Sequence, residues 1–221
     1  MSVNYNPSVV TTGLVLYLDA ANKRSYPGSG ATWYDVSGLN NHCVWAATPT
    51  LGSGYFTFTG TQWGTITNSA TLDFSSGQTL IIGMRHSYVS GRKNPWNQAY
   101  AGFGTWTHEQ GDSISQYFGD GGGDNSPYLG TTSPGTPRNV WNIMCATRDT
   151  VEHKWYMNGA YASTTSHTYG VLTNSTANIW IANGYAGLWE GDMAFVMAYN
   201  RALTADEVSL NFQAIRGRYG I

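Results

Sequence analysis

A chain of 221 residues with 11% charged side chains, 14% aromatics and 27 glycines carries too many aromatics and too few charges to be an intrinsically disordered segment. Its formal net charge of −2, with 11 Lys and Arg scattered along it, lacks the basic footprint that nucleic-acid binding needs. No stretch reaches the ~20 apolar residues that cross a bilayer as a helix, and Ser2-Val3-Asn4-Tyr5-Asn6-Pro7 after Met1 shows neither the basic start nor the apolar core of a secretory leader.

Residues 1–12 read as an extended arm, with Pro7 blocking a helix. Gly13-Leu14-Val15-Leu16-Tyr17-Leu18-Asp19 reads as a strand that is apolar on both faces until Asp19. Tyr55-Phe56-Thr57-Phe58-Thr59 alternates aromatic with threonine, the period of a half-buried strand. Further strands are expected at 79–84, 141–147, 152–157, 179–182 and 193–199. Between 152–157 and 160–162 stands Asn158-Gly159, a strong hairpin signal because both central residues of such a turn need positive φ. Many short strands separated by turn residues indicate a two-sheet sandwich. One helix is expected near the end. Thr204-Ala205-Asp206-Glu207 forms a capping box, Val208, Phe212 and Ile215 follow at helical spacing, and Gly217 suits the stop.

Residues 85–140 differ from their surroundings. Gly, Ser, Asn, Pro and aromatics dominate, so this stretch reads as a loop-rich insert with strands embedded at 100–103 and 114–118. Binding residues concentrate in such loops. Its aromatics, Tyr88, Trp96, Tyr100, Trp106 and Tyr128, either stack on a sugar or pack a core or protein interface, where Tyr and Trp are also enriched. Trp96, Tyr100, Trp106 and Tyr128 are the candidate contact residues. Gly119-Asp120-Gly121-Gly122-Gly123-Asp124-Asn125 reads as a plain turn, with Asp120 and Asp124 as the alternative ligands of a calcium or sodium ion.

No catalytic set stands out. A glycosidase needs two facing carboxylates, and the nearest grouping, Glu109-Gln110-Gly111-Asp112, sits in a turn-like context. His42, His86, His108, His153 and His167 are scattered singly. Cys43 and Cys145 fit free buried thiols or one disulfide, without metal-ligand spacing.

Both ends carry a family resemblance. Residues 13–22, Ser25-Tyr26-Pro27-Gly28-Ser29-Gly30 and Trp33-Tyr34-Asp35-Val36-Ser37-Gly38-Leu39-Asn40-Asn41 at the start resemble the laminin-G-like, concanavalin A-like domains of tailed-phage virion proteins. So do residues 141–159 and the closing Trp189 to Thr204, with its Tyr199-Asn200-Arg201-Ala202-Leu203 signature. The resemblance implies an all-β, two-sheet antiparallel jelly-roll sandwich of about a dozen strands with one short C-terminal helix. Residues 13–221 then form one sandwich domain. Members often hold calcium with an acid two or three positions after the glycine of the closing strand. Here Met193 and Ala194 stand there, and Asp192 comes one position early, on the other strand face. The expectation is therefore a non-enzymatic virion structural protein without a cofactor, a head decoration or short appendage module bound to capsid, fibre or tail proteins. Its arm would lie on a neighbouring subunit or the capsid. The alternative is a lectin module that attaches to host surface glycans. Self-association is a further expected contact; nucleic acid and membrane insertion are not expected.

Overall fold

The computed structural model describes residues 8–87, 91–109, 112–119, 128–166, 171–172 and 175–220. In chain order its strands are β1 (Leu14–Asp19), β2 (Thr32–Trp33), β3 (Cys43–Ala47), β4 (Thr50–Leu51), β5 (Phe56–Thr59), β6 (Trp63–Ile66), β7 (Gln78–His86) and β8 (Lys93–Gln98). They continue as β9 (Gly104–His108), β10 (Ile114–Gly119), β11 (Tyr128–Thr132), β12 (Asn142–Arg148), β13 (Glu152–Met157), β14 (Ala160–Ser166), β15 (Ile179–Ile181) and β16 (Glu190–Tyr199). Helix α1 spans Ala205–Ile215.

Two antiparallel sheets form a jelly-roll sandwich. The front sheet runs β14-β13-β12-β7-β16-β5-β4, with β1 also paired to β16; the back sheet runs β11-β10-β9-β8-β15-β6-β3-β2. One hydrophobic core lies between them, with Leu80, Ile82, Met84 and Trp155 from the front facing Trp45, Ile66, Ile179 and Trp106 from the back. A second core lies outside the front sheet, where Ile81, Cys145, Met197 and Tyr199 meet Val208 and Ile215 of α1. The helix explains why β7 is apolar at successive positions: Leu80 and Ile82 face one core, Ile81 the other.

The local signals have physical causes. At the hairpin, Asn158 and Gly159 take φ of 51° and 76°, and the Asn158 side chain accepts the Ile143 amide at 2.8 Å. Thr204 and Glu207 close the capping box, and Arg201 grips Glu207 through both terminal nitrogens at 2.6 and 2.8 Å. That grip and the Thr204 amide hold the Glu207 carboxyl down at about 2. The opening motif turns on Asp35, whose carboxylate accepts the amides of Tyr17, Ser37 and Asn41 and the Ser37 hydroxyl.

The described part of the N-terminal stretch lies on the chain's own sandwich. Val9 and Val10 pack on the outer core. The Val10 amide donates to Asn211, Tyr199 donates to the Val10 carbonyl, and Arg201 donates to the Thr12 carbonyl. The C-terminal segment is pinned too: Arg218 reaches buried Asp19 at 2.7 Å.

The stretch 85–140 departs from the loop-rich expectation. Four strands, β8 to β11, extend the back sheet through it. Residues 99–103 form one π-helical turn instead of the expected strand, because Ala99 at φ 63° and Gly104 at φ 124° turn the backbone out of the extended region. Pro95 is accommodated at the bulge between Lys93 and Trp96, where no ladder hydrogen bond is required of it.

Candidate functional site on the outer face of the back sheet

Strand parity decides which side chains of the back sheet reach solvent. One row across it, Trp45, Gly64, Ile181, Trp96, Trp106, Gln116 and Thr131, is in register from β3 to β11. It points into the sandwich, with Trp106 5.0 Å from Trp155 of the front sheet. The next row, Thr32, Val44, Thr65, Trp180, Asn97, Thr105 and Tyr117, lies on the opposite face, where Val44 and Trp180 are exposed while Asn97 and Thr105 are covered.

Of the four candidate contact aromatics, Trp96 and Trp106 are core residues, 1% and 0% exposed. They stand directly opposite each other on β8 and β9, and the Trp106 indole donates to Gln116 at 3.0 Å. They are not contact residues: the period-two pleat turns both inward. The side chains of Tyr100 and Tyr128 lie outside the described residues, as do Tyr88, Asp120, Asp124 and His167.

The outward row instead leads to two tryptophans. Trp180 on β15 is 36% exposed. Trp63 on β6 stands beside it, with ring centroids 6.0 Å apart and planes at 67°. Thr65 and Asn97 flank Trp180 in register, one strand away on each side. Val44, 52% exposed, continues the row beyond Thr65. The two indoles thus make a corner with an apolar floor and neutral polar groups at its edges. Three strands further along, Tyr117 and Tyr185 sandwich the Arg92 guanidinium at 5.5 and 5.6 Å, and Glu109 neutralises it at 2.7 Å.

The other candidates have internal duties. Asp112 pairs with Arg138, and Asp192 takes Arg85 together with the Thr57 hydroxyl. A groove of about 320 Å³ beside α1 contains Asp149 and Glu152, but Asp149 caps its own turn and Glu152 holds Lys154. Cys43 and Cys145 are free thiols in different cores, and burial pushes both thiols up. Among the described residues, no group of three or more His, Cys, Asp or Glu is placed to hold a metal ion. No described helix is long and apolar enough to cross a membrane.

Three histidines scattered in the sequence are buried in the sandwich: His86 and His108 meet with ring centroids 4.0 Å apart, while His153 stands opposite Arg148 at the other end of the front sheet. Trp189 donates to His108 Nδ1 at 3.4 Å, so the His108 proton sits on Nε2, facing the Thr136 hydroxyl at 3.2 Å. That hydroxyl in turn donates to the Asp112 carbonyl. His86 donates from Nε2 to the Thr136 carbonyl at 3.0 Å. His153 meets Gln116 at 3.0 Å. Burial lowers the pKa of each, well below the ordinary range for His108 and to about 3 for His153.

A family model described as the concanavalin A-like lectin/glucanases superfamily matches residues 58–209. No curated protein sequence matches the chain. Among solved structures, Trypanosoma rangeli sialidase superposes with a TM-score of 0.69 at 15% identity, over 93% of this chain and 33% of that one. Botulinum neurotoxin type C, whose cell entry depends on interaction with two ganglioside molecules, gives 0.69 at 10% identity over 91% and 51%. The binding domain of Paraclostridial Mosquitocidal Protein 1 gives 0.61 at 16% over 90% and 52%. The chain therefore spans a third to a half of these proteins, and at such identities the likeness is one of fold.

Proposed function

Because the chain belongs to the concanavalin A-like lectin/glucanase superfamily, we propose that it is a non-catalytic recognition module that binds glycan through the surface indoles of Trp63 and Trp180, carried on a tailed-phage virion. The observation that carries this reading is the indole corner itself. A large apolar ring held at the surface of a rigid sheet, with a threonine hydroxyl one strand away, matches a sugar's C–H face and its hydroxyl rim. Residues on strands are held more firmly than residues on loops, which favours a shallow site of this kind. A non-catalytic role is supported by Glu109, Asp112 and Glu152, which are held in ion pairs. The virion setting is supported by the opening and closing stretches that resemble phage proteins.

The same face supports a second reading, a head decoration or short appendage module held by protein contact, since exposed Val44 adds apolar area beside the indoles. A glycan array with the wild type and Trp180→Ala separates the two. Wild-type signal lost in the variant supports glycan binding. No signal from the wild type, with the chain found by mass spectrometry in purified particles, supports protein contact. Absence of the chain from particles removes the virion setting.

A further inference from the structure

We infer that the Trp63–Trp180 corner takes an uncharged pyranose and rejects acidic sugars; this rests on the glycan reading above. The chain has 11 Lys and Arg. Seven of them, Arg85, Arg92, Lys93, Arg138, Lys154, Arg201 and Arg218, are spent on carboxylates of the chain itself. Arg148 is 1% exposed between the sheets. That leaves Lys23 and Arg24 in the loop after β1, and Arg216 after α1, where it lies over Phe212. None of the three is on the back sheet. In the eight strands of that sheet Lys93 is the one charged residue, and Glu190 neutralises it at 3.1 Å.

A carboxylate or sulfate brought onto this face would give up hydration and find no cation in return, which is unfavourable. A neutral ring loses no such hydration. Stacked on Trp180 and bounded by the Trp63 edge, it has Thr65 and Asn97 one strand spacing, about 4.8 Å, away on either side. Asn97 is nearly buried, 6% exposed, with its carbonyl oxygen accepting the Thr105 hydroxyl, so Thr65 is the more accessible polar group, with a hydroxyl of either sense. The site thus offers an apolar floor and neutral polar groups at its rim.

The test uses the whole chain and three probes: lactose, cellotriose and 3′-sialyllactose. Binding is read by saturation-transfer NMR and tryptophan fluorescence at low and at high NaCl. The expected result is that at least one neutral saccharide binds, that its affinity does not change with salt, and that Trp180→Ala weakens it about tenfold or more without lowering the melting temperature. Adding the sialic acid should give no gain. Binding confined to 3′-sialyllactose and weakened by salt would overturn the inference while leaving the glycan reading intact. Neutral binding untouched by Trp180→Ala and Trp63→Ala would overturn it as well. No saccharide binding by the wild type would overturn both.

Discussion

His86 and His108 face each other with ring centroids 4.0 Å apart, one from each sheet, and both rest on Thr136. Neither can gain a proton without placing a cation beside the other ring, and a proton on His108 Nδ1 would oppose the Trp189 N–H.

This arrangement sets the response to acid. Folded values for His86, His108 and His153 all lie below the ordinary histidine value of about 6.5. Below that pH the unfolded chain binds protons that the folded chain refuses. Stability is therefore fully present above about pH 6.5 and falls as pH drops, by up to about 1.4 kcal/mol per pH unit for each histidine, and for His153 down to about pH 3. Urea unfolding at a series of pH values from about 7.5 down to about 4 reads this directly, and His153→Gln should flatten the slope. A stability that is level from neutral pH to about pH 5 would refute it.

The tryptophans divide into two groups by energy. Trp106→Ala removes a fully buried ring and its bond to Gln116 and should cost about 3–5 kcal/mol. Trp180→Ala, at a surface position, should cost at most about 1 kcal/mol. Thermal melts of the two variants would show the reverse order if the faces of β9 and β15 were exchanged.

Gly159→Ala combines two penalties. The backbone at φ 76° disfavours any L side chain, by about 1–2 kcal/mol, and the new methyl would lie 2.6 Å from Phe212 of α1. In a Phe212→Ala background only the backbone part should remain, so a double-mutant cycle is expected to show coupling. Strict additivity would mean that the helix does not rest on this turn.

Arg218→Ala leaves the buried Asp19 carboxylate with the Tyr17 hydroxyl and the Ala21 amide. Because Arg218 is partly exposed, about 2 kcal/mol is expected instead of the ~3–5 of a fully enclosed pair. Neutralising both partners together, Asp19→Asn with Arg218→Gln, should recover part of it. Denaturant midpoints unchanged in Arg218→Ala would show that the C-terminal segment is not an anchor.

Much of the frame was legible in the chain because its signals are local. Asn158-Gly159 must turn, Thr204 and Glu207 must cap, and Tyr199, Asn200 and Arg201 each bond to residues 10–13. The closing signature is thus a clasp between the first and last strands. The site was less legible. In Ile179-Trp180-Ile181 the alternation places Trp180 opposite two isoleucines, yet only the sheet shows which face is buried. Likewise Thr105-Trp106-Thr107-His108 carries a strand period that its Gly-rich surroundings obscure. The histidine pair joins residues 86 and 108 from opposite sheets, and no spacing within one strand announces it.

Strand β16 sits inside the front sheet, with β7 along one side and β1 and β5 sharing the other. The ribosome makes β1 and β5 long before it makes their shared neighbour. Until residue 199 has emerged from the exit tunnel, the early strands lack the partner that joins them, and their edges stay open to other nascent chains. Assembly of the front sheet in this half thus waits for β16, and is slow, because its closing contacts join residues far apart in sequence. Expression at lower temperature, or with a holding chaperone, should raise the yield of folded protein for this topological reason alone.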